Sequence, residues 1–251
     1  MKIMHKLDTM SELKITESGA KSKNILYLYS TLNEFISGLN FKADIINGKN
    51  RCELIVDVPC GYLDAFLVEA VDKMADVIAI NYKYTFFKRN IRLKGLSESE
   101  RELLLTALIS ADLEEDKRYA IKRLKQFNEF SIDGIFNFRM KPLKEKWVEI
   151  CGYIPSTFQK GQLKDFITYL IKDKCGKRVY VENITVYDKK YTPLKRRDLL
   201  FNDSGNLSII KEILLSGAGE VELATKIDSE NEKYIKEFYG EKVYFSQSYF
   251  A

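Results

Sequence analysis

Histidine is nearly missing from this 251-residue chain: His5 is the only one. With a single, N-terminal histidine a histidine-based nucleophilic triad is not expected, and a His-rich metal centre has no second imidazole to draw on. The four cysteines, Cys52, Cys60, Cys151 and Cys175, form no Cys-x-x-Cys pair. Zinc would therefore need other ligands, and no metal or cofactor is expected. In a reducing compartment such thiols behave as small buried hydrophobes. The chain also lacks a run of about 18 apolar residues, and its start, MKIMHKLDTMSELK, lacks the apolar core of a signal peptide. A cytoplasmic protein with no membrane insertion is expected. There is no P-loop, and Gly217-Ala218-Gly219 fails as a dinucleotide fingerprint because it precedes a strand instead of joining strand to helix. Charge of one sign is scarce as well: 40 basic and 36 acidic side chains leave +4, which is too mild to imply nucleic acid by itself.

What is present is strong apolar periodicity. The expected class is α+β, divided into an N-terminal α/β region at 1–94, a central helical bundle at 95–176 and a small C-terminal α/β domain at 177–251. In the first region Ile3–Leu7 reads as a strand, and Ile25, Leu28, Leu32, Phe35 and Leu39 mark a helix with Ser22 as its N-cap. Strands over 41–46 and 52–58 follow, joined through Asn47-Gly48. After Pro59 comes a long helix carrying Leu63, Phe66, Leu67, Ala70, Val71 and Met74, whose tail Tyr82–Arg89 mixes aromatics with cations. Two overlapping capping boxes, Ser97 with Glu100 and Ser99 with Glu102, open the central region. The next helix, after Asp112, is read with Leu113, Ala120, Leu124 and Phe127 inward and Lys117, Arg118, Lys122, Arg123 and Lys125 outward.

The densest information lies in Ser131–Cys151, SIDGIFNFRMKPLKEKWVEIC, which contains the single tryptophan. Phe136, Met140, Leu143, Trp147 and Ile150 recur at helical spacing. Pro142 interrupts them, and the helix either kinks there or begins there with Pro142 at its first position. Asp133-Gly134 followed by Phe138-Arg139-Met140-Lys141 resembles the DG(F/I)xxFR(L/M)K segment of the YtxC-like family, associated with sporulation in endospore-forming bacteria. Leu163–Leu170 is similar to that family's next helix and Val179–Val186 to its following strand, so the resemblance spans residues 75–250. It implies a sporulation context and no particular chemistry, since the family carries no established activity.

From Lys177 the period changes to two. Arg178–Tyr187 reads as a strand, Asp188-Lys189-Lys190 as a turn and Tyr191–Leu194 as a short returning edge strand; Leu207–Leu215 reads as a helix. Strand, helix and strand then follow at 219–227, 229–239 and 242–250, with Ser229 and Glu232 as a capping box and Gly240 as the stop; such a unit closes parallel and right-handed.

Two sets of residues are candidates for binding. The cations Lys189, Lys190, Lys195, Arg196 and Arg197, interleaved with Tyr187 and Tyr191, could track a phosphate backbone or an acidic partner, or could simply protect an edge strand. Asp133, Arg139 and Lys141 form either a recognition site or an internal ion pair of Asp133 with Arg139. The leading expectation is a non-enzymatic protein that binds a protein partner. Nucleic-acid binding through the 187–197 segment is the alternative, as is an enzyme for a small acidic or phosphorylated substrate. The enzyme would use Arg139, Lys141, Arg196 and Arg197 as cations and Asp133 or Glu220 as acid-base group. Glu220 and Glu222 share one side of a strand, and Cys60 stands at a helix start where a thiol pKa can fall.

Overall fold

The computed structural model describes residues 10–172, 174, 176–201 and 205–250. The expected strand Ile3–Leu7, together with His5 and Cys175, lies outside them. In chain order the elements are β1 (Met10–Ser18), α1 (Ser22–Gly38), β2 (Lys42–Asn47), β3 (Arg51–Pro59), α2 (Leu63–Asp76), α3 (Lys83–Asn90), α4 (Glu98–Ala111), α5 (Leu113–Leu124), β4 (Phe130–Ser131), α6 (Ile132–Arg139), α7 (Lys141–Tyr153), α8 (Lys160–Lys172), β5 (Arg178–Glu182), β6 (Thr185–Tyr187), α9 (Ser208–Ser216), β7 (Glu220–Leu223), α10 (Ser229–Tyr239) and β8 (Val243–Phe245). The protein is α+β, with two mixed sheets among the described residues. It divides into two compact units, 10–82 with 115–146, and 83–114 with 147–250.

The first unit is built on the sheet β2-β3-β1-β4, in which β1 pairs antiparallel with β3 and parallel with the two-residue β4. Leu13, Ile15 and Glu17 of β1 lie opposite Val56, Leu54 and Cys52 of β3 and are buried with them. The alternate residues, Glu12, Lys14 and Thr16, stay on the wetter face. Strict alternation thus sets the register, because a slip by one residue would expose the whole apolar set. Helix α1 covers the buried face with Ile25, Leu28, Leu32 and Ile36, beside Phe66, Ala70 and Met74 of α2. Leu39, expected in the core, lies just past the end of α1 and is exposed, and Ser22 is the first helical residue instead of the cap. The helix after Pro59 is not one regular rod: a fully buried π-helical stretch, Val77–Tyr82, follows α2. It places the Tyr82 hydroxyl where it donates to the buried Glu17 carboxylate at 2.9 Å, while Asn24 Nδ2 donates to the same carboxylate at 3.0 Å. Burial raises the Glu17 pKa above the ordinary carboxylate value, and these hydrogen bonds work against that rise.

In the signature segment the chain breaks at Met140, and α7 begins at Lys141, with Pro142 in its first turn. There the missing N–H costs nothing, since first-turn donors have no intrahelical acceptor. Phe136, Met140, Leu143 and Trp147 are all buried, whereas Ile150 is half-buried. Lys117, read as outward, is buried between Asp72 and Asp76 at 2.9 and 3.0 Å. An apolar stripe shows which face is inside, but it does not show which charges follow it in with a partner.

The second unit carries the sheet β6-β5-β7-β8. There β5, β7 and β8 run parallel and β6 returns antiparallel, so β7, α10 and β8 form the parallel strand-helix-strand unit expected. Its N-cap is Asp228, one residue before the serine read as the cap. Val179, Val181, Val186, Val221 and Leu223 bury one face, and α9, whose residues 209–216 are all buried, lies in the core with α4 and α10 packed on it. Gly219 follows this helix at a point where a Cβ would collide with the Lys174 carbonyl, so only glycine fits. Ser97 and Glu100 make the capping box at α4. Glu102 belongs to no second box; it is buried against Lys211 at 2.9 Å. Lys83, in the aromatic and cationic tail, is fully buried on Asp112, while Tyr84 and Phe87 are core and Trp147 packs on Phe86.

Two local expectations change in the C-terminal region. The hairpin turns at Asn183-Ile184, with Asn183 in the left-handed region at φ 54°, so the strand read over Arg178–Tyr187 is two strands. Tyr191–Leu194 is not a strand; its backbone meets the sheet at a bridge from Pro193 to Tyr187.

Candidate binding surface

The face of the C-terminal sheet opposite its valines is occupied by aromatic and charged side chains. Tyr180 of β5 is the cross-strand partner of Tyr187 of β6, and on its other side it is registered with Glu222 of β7, which in turn faces Tyr244 of β8. Tyr191, in the loop after β6, stacks on Tyr180 with centroids 4.9 Å apart and planes 18° from parallel, and approaches Tyr187 at 6.3 Å. At the other end Arg178 lies 4.1 Å over the Tyr244 ring. Its Nε and Nη2 donate to Glu220 Oε2 at 2.9 and 2.8 Å, and Nη1 reaches Glu222 Oε2 at 3.3 Å. Each end of the platform is thus fixed by an internal contact before any ligand arrives. Tyr191 remains 65% exposed, and Ile184 on the hairpin tip 68%.

The sequence-predicted cations separate into two groups. Lys189 and Lys190 are exposed on the turn after β6, which Asp188 closes by accepting from the Lys190 and Thr192 backbone N–H groups at 2.8 and 3.0 Å. Lys195 is half-buried. Arg196 and Arg197 are anchored inward. Arg196 Nη1 donates to the Leu215 carbonyl at 2.9 Å, in the last turn of α9, where a cation complements the helix dipole. Arg197 Nη1 donates to the Ile184 carbonyl at 3.0 Å. The backbone N–H groups of both arginines donate to the buried Glu212 carboxylate at 3.1 and 2.7 Å.

The remaining candidates lie in the first unit. Asp133 is not paired with Arg139: its Oδ1 accepts from Arg51 Nη2 at 2.8 Å and from Ser131 Oγ at 3.0 Å. The same Arg51 nitrogen reaches Thr16 Oγ1 at 2.9 Å. Sheet pairing produces this cluster, because β3 carries Arg51 beside the end of β1 while β4 brings Ser131 to the opposite edge. Arg139 is exposed at the end of α6, and Lys141 is exposed, 3.5 Å from Glu145. Cys60 is exposed, 3.3 Å from Ser11 Oγ, contrary to the expectation of buried thiols; Cys52 is buried and Cys151 half-buried.

The carboxylates considered for acid-base work are committed to partners, Asp133 to Arg51 and Glu220 to Arg178. Among the described residues no group of three histidine, cysteine or acidic side chains could hold a metal ion, and no helix is long and apolar enough to cross a membrane. Arg178, Tyr180 and Tyr244 escaped the sequence reading, although the alternation of Arg178, Tyr180 and Glu182 with Val179 and Val181 contained the signal. No family model, curated protein or solved structure matches this chain.

Proposed function

We propose that this chain is a non-enzymatic, cytoplasmic binding protein that engages a protein partner through the tyrosine face of its C-terminal sheet. The sporulation context suggested by Asp133–Lys141 belongs to the same proposal. The observation that carries it is the platform of Tyr180, Tyr187, Tyr191 and Tyr244, with Arg178 over the Tyr244 ring at one end. Tyrosine and arginine are among the residues that anchor protein interfaces: tyrosine offers a rigid apolar ring with a polar tip, and arginine an apolar stem ending in a planar fork of donors.

Charge decides between a protein and a nucleic acid. With Arg196 and Arg197 turned inward onto the Leu215 and Ile184 carbonyls, the remaining cations Arg178, Lys189, Lys190 and Lys195 on this face and its flanking loop are matched by Glu182, Asp188, Glu220 and Glu222, so these displayed residues carry no net charge. A surface that tracks phosphates needs a clear positive excess. The partner suited to this face is a protein surface of mixed charge with an exposed aromatic or aliphatic anchor.

The test is capture from sporulating cells with wild-type protein and with a Tyr180→Ser, Tyr191→Ala variant whose circular dichroism is unchanged. A discrete protein held by the wild type and lost by the variant is the expected result. Equal capture by both would overturn the assignment to this face. Strong, salt-sensitive binding of the wild type to a single-stranded oligonucleotide would replace it with the nucleic-acid reading.

A further inference from the structure

The edge of β1 is only partly covered. Nine residues of β1 pair with β3, but β4 pairs with Ile15 and Thr16 alone, and among the described residues no strand lies beside Met10–Lys14 on that side. The ladder fixes which backbone groups are left over. Gly19 donates to the Asn50 carbonyl in register with β3, so the odd residues 11–17 direct their backbone groups toward β3 and the even residues direct theirs away. The N–H of Glu12 and Lys14 and the carbonyl of Glu12 therefore point to the open edge.

A pocket lies on each face of that edge. On the helix-covered side a pocket of about 470 Å³ is lined by Leu63, Leu67, Val68 and Val71 of α2 and by Phe127 and Phe130. On the other side a polar pocket of about 450 Å³ is bordered by Glu12, Lys14, Asn128 and Glu129. The charges around the two are unequal. Lys14 is held by Glu53 at 2.7 Å, while Glu12, Asp64 and Glu129 face these pockets with only Lys125 to offset them.

We propose that this edge is a site for an extended basic peptide, which adds a strand to β1 at Met10–Lys14. Its side chains would alternate between the apolar pocket and the acidic rim. A strand is the occupant because its backbone alone satisfies the Glu12 and Lys14 groups; a helix laid over the apolar pocket would leave them unpaired. Its charge follows from the acidic excess, since Lys or Arg at the alternate positions would reach Glu12 and Glu129.

The probe is a blocked peptide of alternating lysine and valine, Ac-KVKVKVK-NH2, titrated against the whole chain. Saturable binding is expected, weakened by about tenfold or more in a Glu12→Lys, Glu129→Lys variant and in a Val68→Lys variant, all three positions being exposed. The same peptide N-methylated at the amides on one edge should lose binding to a similar extent. In hydrogen exchange the Glu12 and Lys14 amides should slow on binding while those of Leu13 and Ile15, already paired with β3, should not change. Absence of saturable binding, equal binding of the methylated peptide, or unchanged exchange at Glu12 would each overturn the proposal.

Discussion

Glu212 provides a sharp test of how the buried core of the second unit responds to pH. Its side chain is fully buried on α9, and its two oxygens accept from the backbone N–H groups of Arg196 and Arg197, which begin a 3-10 turn at Arg196–Leu199. Burial dominates those hydrogen bonds and the two nearby guanidinium charges, and the carboxyl pKa is pushed up to about 7 from the ordinary 4.5. Because the folded state holds this proton more tightly than the unfolded chain, the associated stability is fully present below about 4.5. It is lost progressively as pH rises to about 7. At 1.36 kcal/mol for each tenfold change in proton affinity, the whole effect amounts to roughly 3 kcal/mol. Glu212→Gln imitates the protonated carboxyl: it remains neutral at all pH values and still accepts one of the two N–H groups. Urea denaturation of both proteins at pH 5 and pH 7.5 isolates the effect. Groups shifted the other way, such as Glu100 and Glu232, are common to both and cancel in the comparison. The wild type should lose about 2 kcal/mol more than the variant between the two pH values, the rest of the effect lying outside that window. Equal losses would mean that Glu212 titrates in the ordinary carboxylate range and that the two N–H donors and arginines fully offset its burial.

Two further outcomes follow from the packing. Arg51→Ala should cost about 1 kcal/mol or less, as expected for a half-exposed ion pair, while Arg139→Ala should change stability by under about 0.5 kcal/mol; thermal melts that rank them in the opposite order would contradict the Asp133 pairing. Trp147→Ala and Phe136→Ala should each cost about 3–5 kcal/mol by chemical denaturation, since Trp147 is fully buried on Phe86 and Phe136 lies 4.3 Å from the Tyr82 ring; a loss near 1 kcal/mol would mean these sites refill on truncation.

Much of the fold was legible because burial leaves a periodic trace. The stripes on α1 and α2 and the spacing of Phe136, Met140, Leu143 and Trp147 each predicted an inward face that the structure contains, apart from Leu39. What escaped was non-local or charged. Arg51 pairs with Asp133 across 82 positions of sequence because strand register unites them, and no local window contains that information. Lys83, Lys117, Lys211 and Glu102 look like solvated helix faces, yet each is buried with an opposite charge. A helical wheel shows one apolar side and does not reveal that the other side is covered as well. The hairpin was misplaced for a local reason. Asp188-Lys189-Lys190 carries the more familiar turn residues, but Asn183, able to adopt positive φ at little cost, turns the chain first.

The same distinction bears on the candidate surface. Read as sequence, residues 187–197 are five cations and two tyrosines, and the cations dominate. In the folded chain Arg196 and Arg197 are used up within the second unit, on the Leu215 and Ile184 carbonyls, with their backbones on Glu212. Arg178 is balanced by Glu220 and Glu222. The displayed positive charge shrinks to Lys189, Lys190 and the half-buried Lys195, while the aromatic component grows as β5 and β8 add Tyr180 and Tyr244 to the tyrosines of the loop. Recognition at this face would consequently rest on ring packing and hydrogen bonds from tyrosine hydroxyls, so its affinity would fall only weakly with added salt, as a desolvated contact does and a phosphate-tracking groove does not.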